Sequence, residues 1–148
     1  MLTLAEKLCI TAAFAFFMTG LLTGIWKYRC MATSANASAP VYVNVAHRSS
    51  LMYAFAALLL AYFARLSVFP DLVDALAALA ALAFFSFAIV TYIVHGLLND
   101  TSNQLRKPHQ LGRLHLPGWV TPLFMGLLIV AEVGGAAVLG VGALLAIW

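Results

Sequence analysis

Charge is what this sequence has least of. Lys and Arg total 8 and Asp and Glu total 5 in 148 residues, so charged residues make up 9 % of the chain, against roughly 25 % in an average soluble domain. Such a chain cannot clothe a water-facing surface, and its 64 % apolar residues suit hydrocarbon instead. Cysteine is equally scarce. Cys9 lies inside the first apolar run and Cys30 beyond it, at different depths, so no disulfide framework is expected. Also missing are a Walker loop, a dinucleotide fingerprint, an HExxH pair and a nucleophile elbow, which argues against nucleotide-driven transport and serine hydrolysis. The net charge of +3 sits in two basic loops and calls for no nucleic acid.

What is present is hydrocarbon in four blocks, Leu4–Trp26, Ser49–Leu66, Leu72–Leu98 and Val120–Trp148. Crossing a hydrocarbon core of about 30 Å takes about 20 helical residues. The expected fold is therefore all-α: an integral membrane four-helix bundle, one four-transmembrane-helix domain over residues 1–148, with the lipid bilayer as its main partner. The first block reads as an anchor and not a cleaved signal, because its apolar run exceeds the 7–15 residues usual for a signal and Lys27 and Arg29 follow directly. Lys27, Arg29, Arg48, Arg106, Lys107 and Arg113 fall on one side, and only Lys7 and Arg65 on the other. By the positive-inside rule both termini are expected outside the cytoplasm, in a multi-pass protein of the cell inner membrane.

The connection around Ser67-Val68-Phe69-Pro70-Asp71 is short enough to make the second and third helices antiparallel neighbours. The first loop, at about 20 residues, and Asn99–Trp119 are long, and loops of that length usually carry function. In the latter, Asn99-Asp100-Thr101-Ser102-Asn103 competes for the last backbone groups of the helix, and Pro108 and Pro117-Gly118 punctuate the remainder of the loop, so it reads as an ordered cap. His109 and His115 there do not have a zinc spacing. In the fourth helix, Ala131 with Gly135 and Ala136 with Gly140 allow close helix contact in lipid, either within one protomer or between copies.

Polar residues inside such a chain are few enough to be read one by one. Tyr92, His95 and Asn99 share one helical face at the basic end of the third helix. His47 is expected to open the second helix at that same end, with Tyr53 about 9 Å further in at 1.5 Å per residue. A pocket between these two helices, opening to the cytoplasm, would collect them. Glu132 falls near the middle of the fourth helix, where an ionised carboxylate costs at least about 2.5–3.5 kcal/mol. It must be neutral, paired or turned to a polar cavity, either as a hydrogen-bonding group between helices or as a proton carrier serving the pocket. The phenylalanines Phe14, Phe16, Phe17, Phe84, Phe85 and Phe87 read as packing or lipid-facing groups that could also wall an apolar ligand.

The layout resembles the bacterial styrene oxide isomerases, small four-helix membrane enzymes related in architecture to the MAPEG glutathione-dependent proteins. The resemblance runs the full chain: Gly24-Ile25-Trp26 closes the first helix, Ala46-His47 opens the second, and an Asn-containing end of the third leads into a Gly/Pro-containing loop. It implies a homotrimer that binds haem b at subunit interfaces, with His47 as axial ligand and Arg48 beside it as a further cofactor contact. In that family ferric iron acts as a Lewis acid on an epoxide oxygen, and a 1,2-shift after ring opening gives the aldehyde. On this reading the polar residues of the expected pocket, Tyr53, Tyr92, His95, Asn99 and Glu132, are the candidate catalytic residues for a small apolar epoxide. The chain departs from the family at Tyr53, where the family has Asn, and it has no carboxylate in the third helix beyond Asp74. Two alternatives stand beside this reading. One is a glutathione-dependent enzyme of the MAPEG kind, although Val41-Tyr42-Val43-Asn44-Val45 replaces that branch's Arg-rich approach to the Ala-His pair. The other is an electron-transfer cytochrome in which His47 and His95 both ligate one haem.

Overall fold

The computed structural model describes residues 1–148. Four helices, α1 (Leu4–Thr33), α2 (Val41–Leu66), α3 (Asp71–Leu98) and α4 (Val120–Ile147), are joined by short links except before α4, where a two-stranded hairpin of β1 (Gln110–Leu111) and β2 (Leu114–His115) intervenes. All four helices are long and apolar enough to cross a bilayer. Of 113 backbone–backbone hydrogen bonds, 99 lie within helices and strands, as a chain without water to bond must arrange. The hydroxyls of Thr19, Thr23, Ser50, Ser86 and Thr91 each donate to the carbonyl four residues back. That local bond satisfies them inside the hydrocarbon.

The helix ends differ from the expected apolar edges. Helix α1 continues past Trp26 to Thr33, and α2 begins at Val41 instead of near Ser49. The loop of about 20 residues expected between them shrinks to Ser34–Pro40. Apolarity marks where hydrocarbon ends, whereas backbone bonding goes on for as long as residues tolerate the helix, and Lys, Arg and Met do. Pro40 and Pro70 occupy the N-caps of α2 and α3, where lacking an N–H removes a donor the helix start cannot pair.

A core cluster of 16 buried residues runs along α1, α2 and α3, and nine of the 16 are alanines. Cys9 and Phe16 of α1, Leu60 of α2 and Leu82, Phe85 and Ile89 of α3 fill between them. Small residues let helices approach closely where lipid and side chain are equally apolar. Helix α4 contributes only Leu139 to this cluster and packs on α3 and α2 from the side. Its small residues serve that contact. A Cβ on Gly135 would strike the carbonyl of Ala77 and stand 3.2 Å from the Ala81 methyl, so this position of the small-residue stripe is used within the protomer, while Gly134 faces open space.

At the end that holds both termini, Thr3 and Glu6 form a reciprocal capping box on α1, at 3.2 Å and 2.8 Å. The Leu4 N–H donates to Asp71 Oδ1 at 3.2 Å, and Ser67 Oγ donates to Asp74 at 3.0 Å. Both cysteines are free.

Candidate functional site

Because α2 begins at Val41, His47 lies in its second turn rather than at its start, and its helical phase turns it toward α1. Its Nδ1 stands 2.8 Å from the carbonyl oxygen of Gly20. A carbonyl can only accept, so Nδ1 carries the proton and the neutral ring keeps its lone pair on Nε2. Gly24 makes this seat possible, since a Cβ there would come within 3.0 Å of His47 Cε1. One residue on, Arg48 is exposed.

Tyr53, Tyr92 and Glu132 form a second group on the other side of α2. Side chains on a helix lean toward its N-terminus. Tyr53 on α2 and Glu132 on α4 therefore lean toward the loop end, and Tyr92 on the antiparallel α3 leans the opposite way. The three converge. The Tyr53 and Tyr92 hydroxyls lie near each other and near the Glu132 carboxyl. The Tyr53 ring stacks on Phe85, centroids 4.4 Å apart. Glu132 Oε1 is buried and has no hydrogen-bond partner.

The third group closes the loop end. His95, buried in the last turn of α3, places Nδ1 2.8 Å from Asp100 Oδ1, and the Gly112 N–H donates to the other carboxylate oxygen. Asn99 takes the left-handed conformation at the C-cap of α3, φ 46°. This turns the chain back so that Asp100 faces the helix it has just left. Gly112, at φ 60°, begins the tight turn of the hairpin, a place where residues with a Cβ are strained. Tyr42 stacks between Tyr92 and His95, at 6.0 Å and 5.0 Å, and its hydroxyl accepts from the Gln104 N–H at 2.6 Å. Burial opposes ionisation of Asp100, but the hydrogen bonds from His95 and from Gly112 outweigh it and hold this carboxyl below the usual carboxylate range. Beside this clasp lies a cavity of about 480 Å³ in which Val41 is the one hydrophobic lining residue.

Of the residues expected in one pocket between α2 and α3, His47 turns away to α1, while the Tyr92 and His95 groups adjoin through the Tyr42 ring. Tyr53, Tyr92 and Glu132 do come together. His95 is taken up by Asp100 and Tyr42, Asn99 is a helix cap, and His47 faces α1, away from both groups. Within one chain, His47 and His95 bond to different partners, the Gly20 carbonyl and the Asp100 carboxylate. The cavity at the loop end is polar and does not suit an apolar substrate. Sequence reasoning passed over Asp100 and Tyr42; a His and an Asp five apart across a helix end with an Asn between was the signal for Asp100, and nothing local marked Tyr42. The chain matches no protein-family model, no curated protein and no solved structure.

Proposed function

We propose that this chain binds haem b through His47 and isomerises a small apolar epoxide to a carbonyl compound, as a homotrimer in the inner membrane with both termini outside the cytoplasm. The observation that carries the reading is the 2.8 Å bond from His47 Nδ1 to the Gly20 carbonyl. A backbone acceptor on Nδ1 orients an imidazole whose Nε2 is left to ligate iron, the arrangement metal-binding histidines use. His47 would therefore be the residue that holds the haem iron. Ferric haem, when bound, would supply a Lewis acid for the epoxide oxygen.

The chain's own residues would do the rest by binding and exclusion. Gly20 orients the ring and Gly24 leaves room for it, while exposed Arg48 offers a cation to a carboxylate of the cofactor. Exposed apolar side chains of α1 and α2, such as Phe17, Leu21, Met52 and Phe55, offer hydrocarbon to an apolar substrate and keep water out. The rearrangement neither adds nor removes an atom, so it needs no co-reactant. Tyr53, Tyr92 and Glu132 would reach a substrate beside His47 only from a neighbouring subunit, which makes the trimer part of the proposal. The concentration of Lys and Arg at the loop end supports the orientation.

Purified protein should show a haem Soret band after reconstitution, and His47→Ala should lose it while His95→Ala keeps it. A wild type that takes up no haem rejects the reading. A six-coordinate low-spin spectrum that depends on both histidines would replace it with a cytochrome assembled between chains.

A further inference from the structure

We infer that the cavity of about 480 Å³ at the loop end is a headgroup site for an anionic phospholipid whose headgroup also carries a free hydroxyl, a phosphoglycerol group being the simplest. The inference does not rest on the haem reading, because none of the residues lining the cavity takes part in it.

The first argument is charge without a partner. Arg106 and Lys107 both line the cavity, and because the one ion pair of the chain is His95–Asp100, neither has an acidic partner. Asp100 is the one carboxylate in the wall. Its two oxygens are already engaged, one by His95 and the other by the Gly112 N–H. The balance favours an anion that accepts charge-assisted hydrogen bonds, as a phosphate does. The second argument is an acceptor without a donor. Gln104 lines the same cavity, and while its backbone N–H is given to the Tyr42 hydroxyl, its side-chain Oε1 is buried with no hydrogen-bond partner. Buried oxygens nearly always find a donor. An ionised phosphodiester has none to give, but a hydroxyl on the same headgroup does.

The third argument is depth, and it decides between a lipid and a free phosphate ester. The cavity lies where α3 ends and α2 begins: Asn99 and Asp100 follow the last residue of α3, and Val41 is the first of α2. Val41, Leu97 and Leu98 are exposed apolar side chains at that boundary. A headgroup held in the cavity has its phosphate at the level where the apolar spans stop, with these side chains offered to its acyl chains. The volume falls within the range of about 300–1,000 Å³ usual for small-ligand pockets. The wall is also built in advance of a ligand. Thr101 Oγ1 donates to the Asn103 carbonyl and accepts from the Asn103 N–H, both at 3.0 Å, and Asn103 Oδ1 accepts from the Leu105 N–H at 2.9 Å, so less order has to be imposed on binding.

The probe is dioctanoyl phosphatidylglycerol, titrated by calorimetry into the full chain in dodecyl maltoside without added haem. It should bind saturably, one per chain, and about fivefold or more tighter than dioctanoyl phosphatidylethanol, which has the same charge and chains but no hydroxyl. Arg106→Ala and Lys107→Ala should each weaken binding about fivefold. Arg113→Ala, exposed in the same loop but outside the cavity wall, should leave it unchanged. Gln104→Leu should bring the two lipids to equal affinity, which a merely basic surface would not do. The deacylated headgroup, glycerophosphoglycerol, should bind about tenfold or more weakly than the lipid. Absence of saturable binding, equal affinity of the wild type for the two lipids, or an equal loss in Arg113→Ala overturns the site, and glycerophosphoglycerol binding as tightly as the lipid overturns its assignment to a lipid. The comparison of ligands on the wild type decides even where a variant fails to fold.

Discussion

At the end of the bundle that carries both termini, carboxylates sit at helix starts: Glu6 and Thr3 serve the first N–H groups of α1, and Asp71 accepts from Leu4. At the other end Asp100 comes after the C-terminus of α3, where a negative charge opposes the helix dipole. It is kept there by His95, by the Gly112 N–H and by the turn that Asn99 makes. The first end thus has the arrangement that unpaired helix N–H groups favour anyway. The second depends on a carboxylate held against the dipole, and so on every donor that compensates it. The loop end should be the more easily disturbed of the two, and a site reached through it would be open to control.

Removing Asp100 should show this most strongly. Asp100→Ala leaves His95 Nδ1 and the Gly112 amide unpaired in a buried place, a loss of about 1–3 kcal/mol. Amide hydrogen exchange at Gln104 and Leu116 should quicken accordingly while that at Glu6 and Lys7 stays as it was. Equal quickening at both ends would erase the contrast. The same clasp should be sensitive to acid. Because the folded carboxyl titrates below its unfolded value of about 3.9, its stabilisation is complete above that value and is lost as pH falls through the folded value. Protease nicking of the loop should rise below about pH 4 in the wild type and show no such step in Asp100→Ala. The smallest effect is expected at the other end. Thr3→Ala removes a cap worth about 1 kcal/mol, visible as a modest fall in thermal stability with loop exchange unchanged.

The spans, the antiparallel turn at Ser67–Pro70, the unpaired cysteines and the ordered character of the Asn99–Trp119 loop come from composition and local chemistry, because hydrocarbon demands long apolar helices and turns demand Pro, Gly and Asn. The meeting of Tyr53, Tyr92 and Glu132 was also within reach, since polar groups at one depth in lipid have few places to go. The angle between His47 and Tyr53 was readable too: six residues at 3.6 per turn place them about 120° apart.

Which neighbour each of those faces would meet was decided by tertiary structure alone. In a water-soluble helix the apolar side marks the interior, but here lipid and helix are alike in polarity, and every face of α1 and α2 is apolar enough for either. The choice fell to shape. Gly24 opens a seat on α1 for the His47 ring, and the nine alanines of the core bring α1, α2 and α3 close enough together to leave α4, with Glu132, at the side. Tyr42 reaches the amide of Gln104, 62 residues away, through contacts that no window of sequence contains.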